Sequence, residues 1–178
     1  MPNVLIVDDN LANLLCYEHI FEDSNLKTMR AHSGSEALTI LLGEKEHCVI
    51  TDVSMPEMDG FELTRIITHD PAFANLPVIL VTGKVFSENE RLKGYHCGAI
   101  DYLHKPLTAD IVGRKVKHLA WAYYRLKQLQ SISDLLEKID YLFPALLSFL
   151  ADKELPQEVD KSIETITEIK NQWKDIYV

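Results

Sequence analysis

The chain has 178 residues, 47% apolar and 25% charged, the profile of a soluble globular protein with room for one ordinary domain and a small appendage. Its formal charge of -9 argues against direct nucleic-acid binding, since domains that bind through bulk electrostatics carry a basic face. Two aspartates within the first nine residues, and no apolar run approaching about 18 residues, argue against a signal peptide, a membrane-spanning helix and a membrane partner; the expected location is cytoplasmic.

Short apolar runs alternate with helical patterns through residue 120. Val4 to Val7 reads as a strand, followed by Leu11, Leu14, Leu15 and Phe21 at helical spacing with Asn10 as cap. Leu26 to Ala31 is a weaker strand. Ser33 and Glu36 form a capping box in which each side chain satisfies the other's backbone N–H, ahead of the apolar Ala37, Leu38, Ile40 and Leu41; Gly43 ends that helix. Cys48 to Thr51 is a third strand. Gly60 to His69 is a helix with Phe61, Leu63, Ile66 and Ile67 apolar, stopped before Pro71. Pro77 to Thr82 is the most apolar run, a second capping box at Ser87 and Glu90 opens a helix ending near Gly94, and Ala99 to Leu103 is a fifth strand. Five alternations of strand and helix predict an α/β fold: a parallel sheet with helices on both faces, because parallel strands need crossover connections.

Beyond Thr108 the period changes. Val112, Val116, Leu119, Tyr123 and Leu126 step by four and three, and Leu129, Ile132, Leu136, Ile139, Phe143, Leu146 and Leu150 continue after two consecutive steps of three, a break resembling a coiled-coil stammer. An unbroken helix from Ala109 to Phe143 would run about 50 Å at roughly 1.5 Å per residue. Pro144 is expected to kink or stop it, Lys153 to Pro156 to turn, and Val159, Ile163, Ile166, Ile169, Trp173 and Ile176 to form another amphipathic helix. The expected division is residues 1–121 and a helical coiled-coil or hairpin extension over 122–178.

Charge follows this division. Residues 1–106 hold 16 acids and 8 Lys or Arg, net -8, while residues 107–178 hold 11 and 10, net -1. Cys16, Cys48 and Cys97 are odd in number and lack metal or disulfide spacing, so they read as reduced thiols. No two of the seven His residues lie two, three or four apart, which disfavours a His-based metal site.

Asp8 and Asp9 end the first strand, Asp52 ends the third, Thr82 the fourth, and Lys105 follows the fifth. Open α/β sheets bind ligands at that carboxyl edge, and a cluster of three acids and one base suits a cation beside an anion. A lone acid pair after a strand is more often a helix cap. Here Asp52 within Thr51-Asp52-Val53-Ser54-Met55-Pro56-Glu57-Met58-Asp59-Gly60, and Tyr102-Leu103-His104-Lys105-Pro106, accompany the pair in order.

In these residues the chain, over about residues 3–121, resembles the receiver domain of two-component response regulators, including the single-domain chemotaxis type. The resemblance implies a flavodoxin-like five-stranded sheet of order 2-1-3-4-5. It implies Asp52 as phosphoacceptor; Mg2+, for which Mn2+ can substitute, on Asp8, Asp9, Asp52 and the Ser54 backbone carbonyl; and Thr82, Gly83 and Lys105 on the phosphate. Thr82 and Tyr102 form the switch, Ser54 and Lys84 tune hydrolysis, and Pro106 follows a cis peptide. Met55 and Met58 are read as loop-packing residues.

The implied partners are a sensor histidine kinase or a phosphotransfer protein, and the apolar stripe adds an expected homodimer through the C-terminal helices. The protein would be a switch rather than an enzyme, with only intrinsic self-phosphorylation and autodephosphorylation. Two alternatives remain: an N-terminal fragment of a larger protein with an enzymatic or sensor output, and a haloacid dehalogenase-type phosphatase. The latter carries its nucleophile on the first strand in an Asp-x-Asp motif, whereas Asp8 and Asp9 are adjacent.

Overall fold

In the computed structural model, residues 1–22, 24–43, 45–83, 92, 96–150 and 157–177 are described. They form two compact units, Met1–Leu126 and Lys127–Val178.

The first unit is built on a five-stranded, all-parallel sheet of order β2-β1-β3-β4-β5, as the sequence led us to expect. The strands are β1 (Asn3–Val7), β2 (Lys27–Ala31), β3 (Cys48–Asp52), β4 (Val78–Thr82) and β5 (Asp101–His104). Every residue of β3 and β4 is buried, the pattern of central strands covered on both faces. Side chains alternate between the faces. Val4, Ile6, Ile50, Ile79 and Val81 pack with Leu14, Tyr17 and Phe21 of α1 (Leu11–Phe21) and with Val112, Val116 and Ala120 of α4 (Ala109–Leu150). Leu5, Val7, Val49 and Val78 pack with Ala37 and Leu41 of α2 (Gly34–Gly43) and Leu63 and Ile67 of α3 (Gly60–His69).

Several local expectations shift. Asn10 caps α1, its side chain accepting from the Ala12 N–H at 2.9 Å, but Leu11 and Leu15 are exposed and Tyr17 takes the inward position. The Glu36 N–H donates to Ser33 Oγ at 3.2 Å, while the Glu36 carboxylate accepts from His32 N–H at 2.6 Å rather than from Ser33, reaching one residue past the cap. In α3, Ile66 is exposed and Thr64 is buried, because its hydroxyl donates to the Gly60 carbonyl at 2.6 Å and so enters the core satisfied. β5 begins two residues later than expected, after Gly98 at φ +92 and the buried Ala99 complete the approach turn. The helix expected from Ser87, and the turn at Lys153 to Pro156, lie outside the described residues.

α4 continues through Pro144 to Leu150, so the proline does not stop it. Proline removes one backbone bond, at a cost of about 3 kcal/mol, and Phe143 beside it is buried. The second unit holds the rest of α4 and α5 (Gln157–Tyr177), matching the amphipathic helix expected there. Its apolar surface is mostly open: on α4, Ile132, Leu135, Ile139, Leu142, Leu146 and Phe149 are all exposed, at steps of three and four. No helix among the described residues is long and apolar enough to cross a membrane.

Candidate phosphoacceptor site

The order β2-β1-β3 means the chain turns opposite ways from β1, and the crevice of such a sheet opens at the carboxyl ends of β1 and β3. Register brings the site residues to that edge. Val7 pairs with Thr51, Asp52 with Val81, and Thr82 with His104, so Asp8, Asp52, Thr82 and Lys105 each end or follow a strand at one level. Backbone bonds beyond the ladder hold them: the Val53 N–H donates to Val81 O at 2.8 Å and the Lys105 N–H to Thr82 O at 2.7 Å. The Lys105–Pro106 peptide is cis, as expected.

Lys105 is the centre of the cluster. Its Nζ donates to Asp52 Oδ1 at 2.6 Å and to Asp8 Oδ2 at 3.2 Å, joining residues far apart in sequence. Burial by itself would lower the ammonium's pKa, but the hydrogen bond to Asp52 and the charges of Asp8 and Asp52 together outweigh it and hold the group above its usual range. Asp52, 8% exposed, also accepts the Ser54 N–H on Oδ2 at 2.7 Å. Asp8, 1% exposed, is the most enclosed acid of the set.

Asp9 is exposed at the rim, and among the described residues no three His, Cys, Asp or Glu side chains surround a common metal position. Lys105 lies between Asp8 and Asp52 and pairs with both carboxylates. Ser54 and Gly83 are exposed at the same edge, Thr82 is buried, and Lys84 lies outside the described residues. Tyr102 is half-buried and packs against Val53, Phe61, Leu80, Cys97 and Ala99. Met55 and Met58 pack in the core on the α2–α3 face, consistent with a structural role.

Gly60 explains why the loop after Asp52 can close. A Cβ there would collide with the Asp52 carbonyl oxygen and Val53 Cα. The Gly60 N–H donates to Val53 O at 3.0 Å, and the Asp59 carboxylate caps α3 by accepting from Glu62 N–H at 2.7 Å. Asp59 is therefore a cap rather than a ligand.

Two residues near the acids are not anticipated by the sequence. Asn13, in the first turn of α1, donates its amide to both oxygens of Asp8 at 2.9 Å. Tyr17, one turn further, is buried with its hydroxyl unpartnered; burial, then the charges of Asp8 and Asp52, pushes its pKa far up. The only sequence signal for Asn13 is its position one turn into the helix that follows the acid pair.

The cluster presents a buried carboxylate with an ammonium beside it and a hydroxyl-bearing strand end opposite, an arrangement that suits an anion arriving at Asp52. Residues 4–117 match the response regulator receiver domain family. Protein PilH of Pseudomonas aeruginosa is 34% identical over 110 residues, covering 62% of this chain and 90% of PilH. A probable cyclic di-GMP phosphodiesterase of Vibrio cholerae is 35% identical over 140 residues, covering 78% of this chain but only 30% of that protein. The receiver domain of Francisella response regulator 1452 superposes with a TM-score of 0.63 at 29% identity, covering 71% of this chain and 99% of that one. The chain belongs to the response regulator receiver domain family.

Proposed function

We propose that the protein is a phosphorylation-switched response regulator in which Asp52 accepts a phosphoryl group from the phosphohistidine of a sensor kinase or phosphotransfer protein. The Lys105 bridge between Asp52 and Asp8 is the observation that carries this reading. An Asp52 carboxylate oxygen attacks phosphorus as the P–N bond breaks, and the imidazole nitrogen leaves with the electron pair. Phosphoryl transfer asks for alignment and charge stabilisation more than for covalent machinery. Lys105 follows the charge to the phosphate oxygens, while the Thr82 hydroxyl and Gly83 N–H donate to another oxygen.

All the candidate ligands are hard oxygens, a donor set that fits Mg2+ or Mn2+. Asp9, Asp52 and the Ser54 carbonyl would hold the ion, with Asp8 through water; the bound ion neutralises charge shared by the carboxylate and phosphate. Tyr102 then follows Thr82 inward, passing the change to the β5 surface. The test is labelling with acetyl phosphate or a phosphorylated kinase in the presence of Mg2+. Wild type is expected to gain one labile phosphoryl group and Asp52→Asn none; equal labelling of the two overturns the assignment.

The exposed stripe from Ile132 to Phe149 favours a second reading, of the extension: homodimerisation through the C-terminal helices. Apolar residues at steps of three and four form the seam of helix–helix association. The phosphodiesterase relative's name describes a protein of which this chain matches 30%. Its 140-residue match exceeds the first unit, so the likeness includes part of the helical segment.

A further inference from the structure

Asp8 accepts more hydrogen bonds than any other acid of the cluster. Oδ1 takes the Asn10 N–H at 2.9 Å, Oδ2 takes Lys105 Nζ at 3.2 Å, and Asn13 Nδ2 stands 2.9 Å from each oxygen. These donors differ in kind. The Asn10 N–H is backbone at a helix cap and Asn13 is a neutral amide held by α1, so neither can follow a ligand. Lys105 is a flexible cation shared with Asp52, and it is the donor drawn away when charge arrives there.

Once Lys105 is drawn away, Asp8 loses its cationic partner among the described residues, and the placement of its buried carboxylate rests on the neutral donors. Asn13 donates toward both oxygens, and its equal distances to them set both the position and the tilt of the carboxylate plane. Its amide oxygen remains able to accept from a cation-bound water. Ion ligands are held in this way by neutral partners whose removal typically lowers metal affinity by about 10–100-fold.

We infer that Asn13 is a positioning residue for the divalent cation, keeping the Asp8 carboxylate oriented for it once Lys105 leaves. The inference rests on the phosphoacceptor reading above. It deepens that reading by naming a residue outside the acid, hydroxyl and lysine set.

The test is Mg2+ titration of the full chain by amide NMR shifts, with thermal melting in EDTA beside it. Asn13→Leu keeps the size and removes the amide, and it is expected to weaken Mg2+ binding by about 10-fold or more while melting in EDTA stays near wild type. Asn13→Gln, which keeps the donor, is expected to restore most of the affinity. Asn13→Leu binding as tightly as wild type overturns the inference. So does a loss of affinity matched by a lowered melting point in EDTA and not rescued by Gln, the signature of a merely structural role. If wild type itself binds no Mg2+, the cation reading of the site fails together with this one, and labelling of Asp52 then tells whether the phosphoacceptor assignment survives.

Discussion

The two compact units treat apolar side chains in opposite ways. In the first, the sheet is covered on both faces, and Ile50, Leu63, Ile67 and Ile79 are sealed. In the second, Leu135, Leu142 and Phe149 are more than half exposed along one helix, and Phe143 is the buried apolar side chain there among the described residues. A closed core can fix the backbone positions at its edge, as those of Asp8, Asp52 and Lys105 are fixed, because the central strands beneath are packed on both faces. An open apolar stripe gains its stability only by association. The proposed chemistry thus lies on the unit with a closed core, and the proposed partner surface on the one with an open stripe.

Matched truncations break this comparison most sharply. Ile50, 1% exposed, lies at the centre of the sheet, and Ile50→Ala should cost about 2–5 kcal/mol in urea unfolding through lost transfer energy and the cavity left behind. Leu142, 61% exposed, should cost about 0.5 kcal/mol or less as a monomer. If the stripe pairs with a second copy, wild-type unfolding of the tail depends on protein concentration and Leu142→Ala removes that dependence in sedimentation and melting alike. A wild type that stays monomeric at tens of micromolar would sink the dimer.

Much of this was legible in sequence because burial on both faces leaves unbroken apolar runs. Val4 to Val7, Cys48 to Thr51 and Pro77 to Thr82 announced strands, and their ends located Asp8, Asp52 and Thr82. Helix faces were less legible. Leu11 and Leu15 fit the apolar spacing of α1 as well as Leu14 does, yet Tyr17 turns inward, since an aromatic hydroxyl does not reveal which face a helix buries. On α4 the sequence favoured Leu136 and Phe143, while Leu135 and Leu142 one step round are the exposed stripe; a helix apolar on a wide arc does not say which edge of the arc is covered. Asn13 was invisible because its role depends on the rotation of α1 over β1, which no local pattern encodes.

A smaller effect is expected at Gly60. Its missing Cβ makes room for the Asp52 carbonyl and Val53 backbone, neither of which can rotate aside. Gly60→Ala should cost about 1–3 kcal/mol as an overpacked contact, and should also slow labelling of Asp52 by displacing the loop that carries it. Normal labelling in a destabilised variant would separate the packing role from the site.

The smallest expected effect concerns where the first unit ends. The family match stops at residue 117, but the compact unit runs to Leu126, and an aromatic seam at the amino edge of the sheet accounts for the difference. The Tyr123 hydroxyl donates to Ala74 O at 3.2 Å, and the His47 ring lies 5.0 Å from Tyr124 and 6.2 Å from Tyr123. His47 Nδ1 accepts the Asn3 N–H at 3.1 Å, which requires that nitrogen to be unprotonated. Burial first, then the positive N-terminal amino group and Lys45, lowers the His47 pKa, despite the attraction of a charged ring to the tyrosine faces. The folded state thus holds fewer protons than the unfolded chain below pH about 6.5. The seam's contribution is complete above that pH and is lost as pH falls through the lowered folded value. Wild type should lose more unfolding free energy between pH 7 and 5 than His47→Gln, which keeps an acceptor but does not titrate there. Parallel curves for the two proteins would mean that the seam is held by Tyr123 and Ala74 alone, and that the last two turns of the first unit do not depend on the histidine.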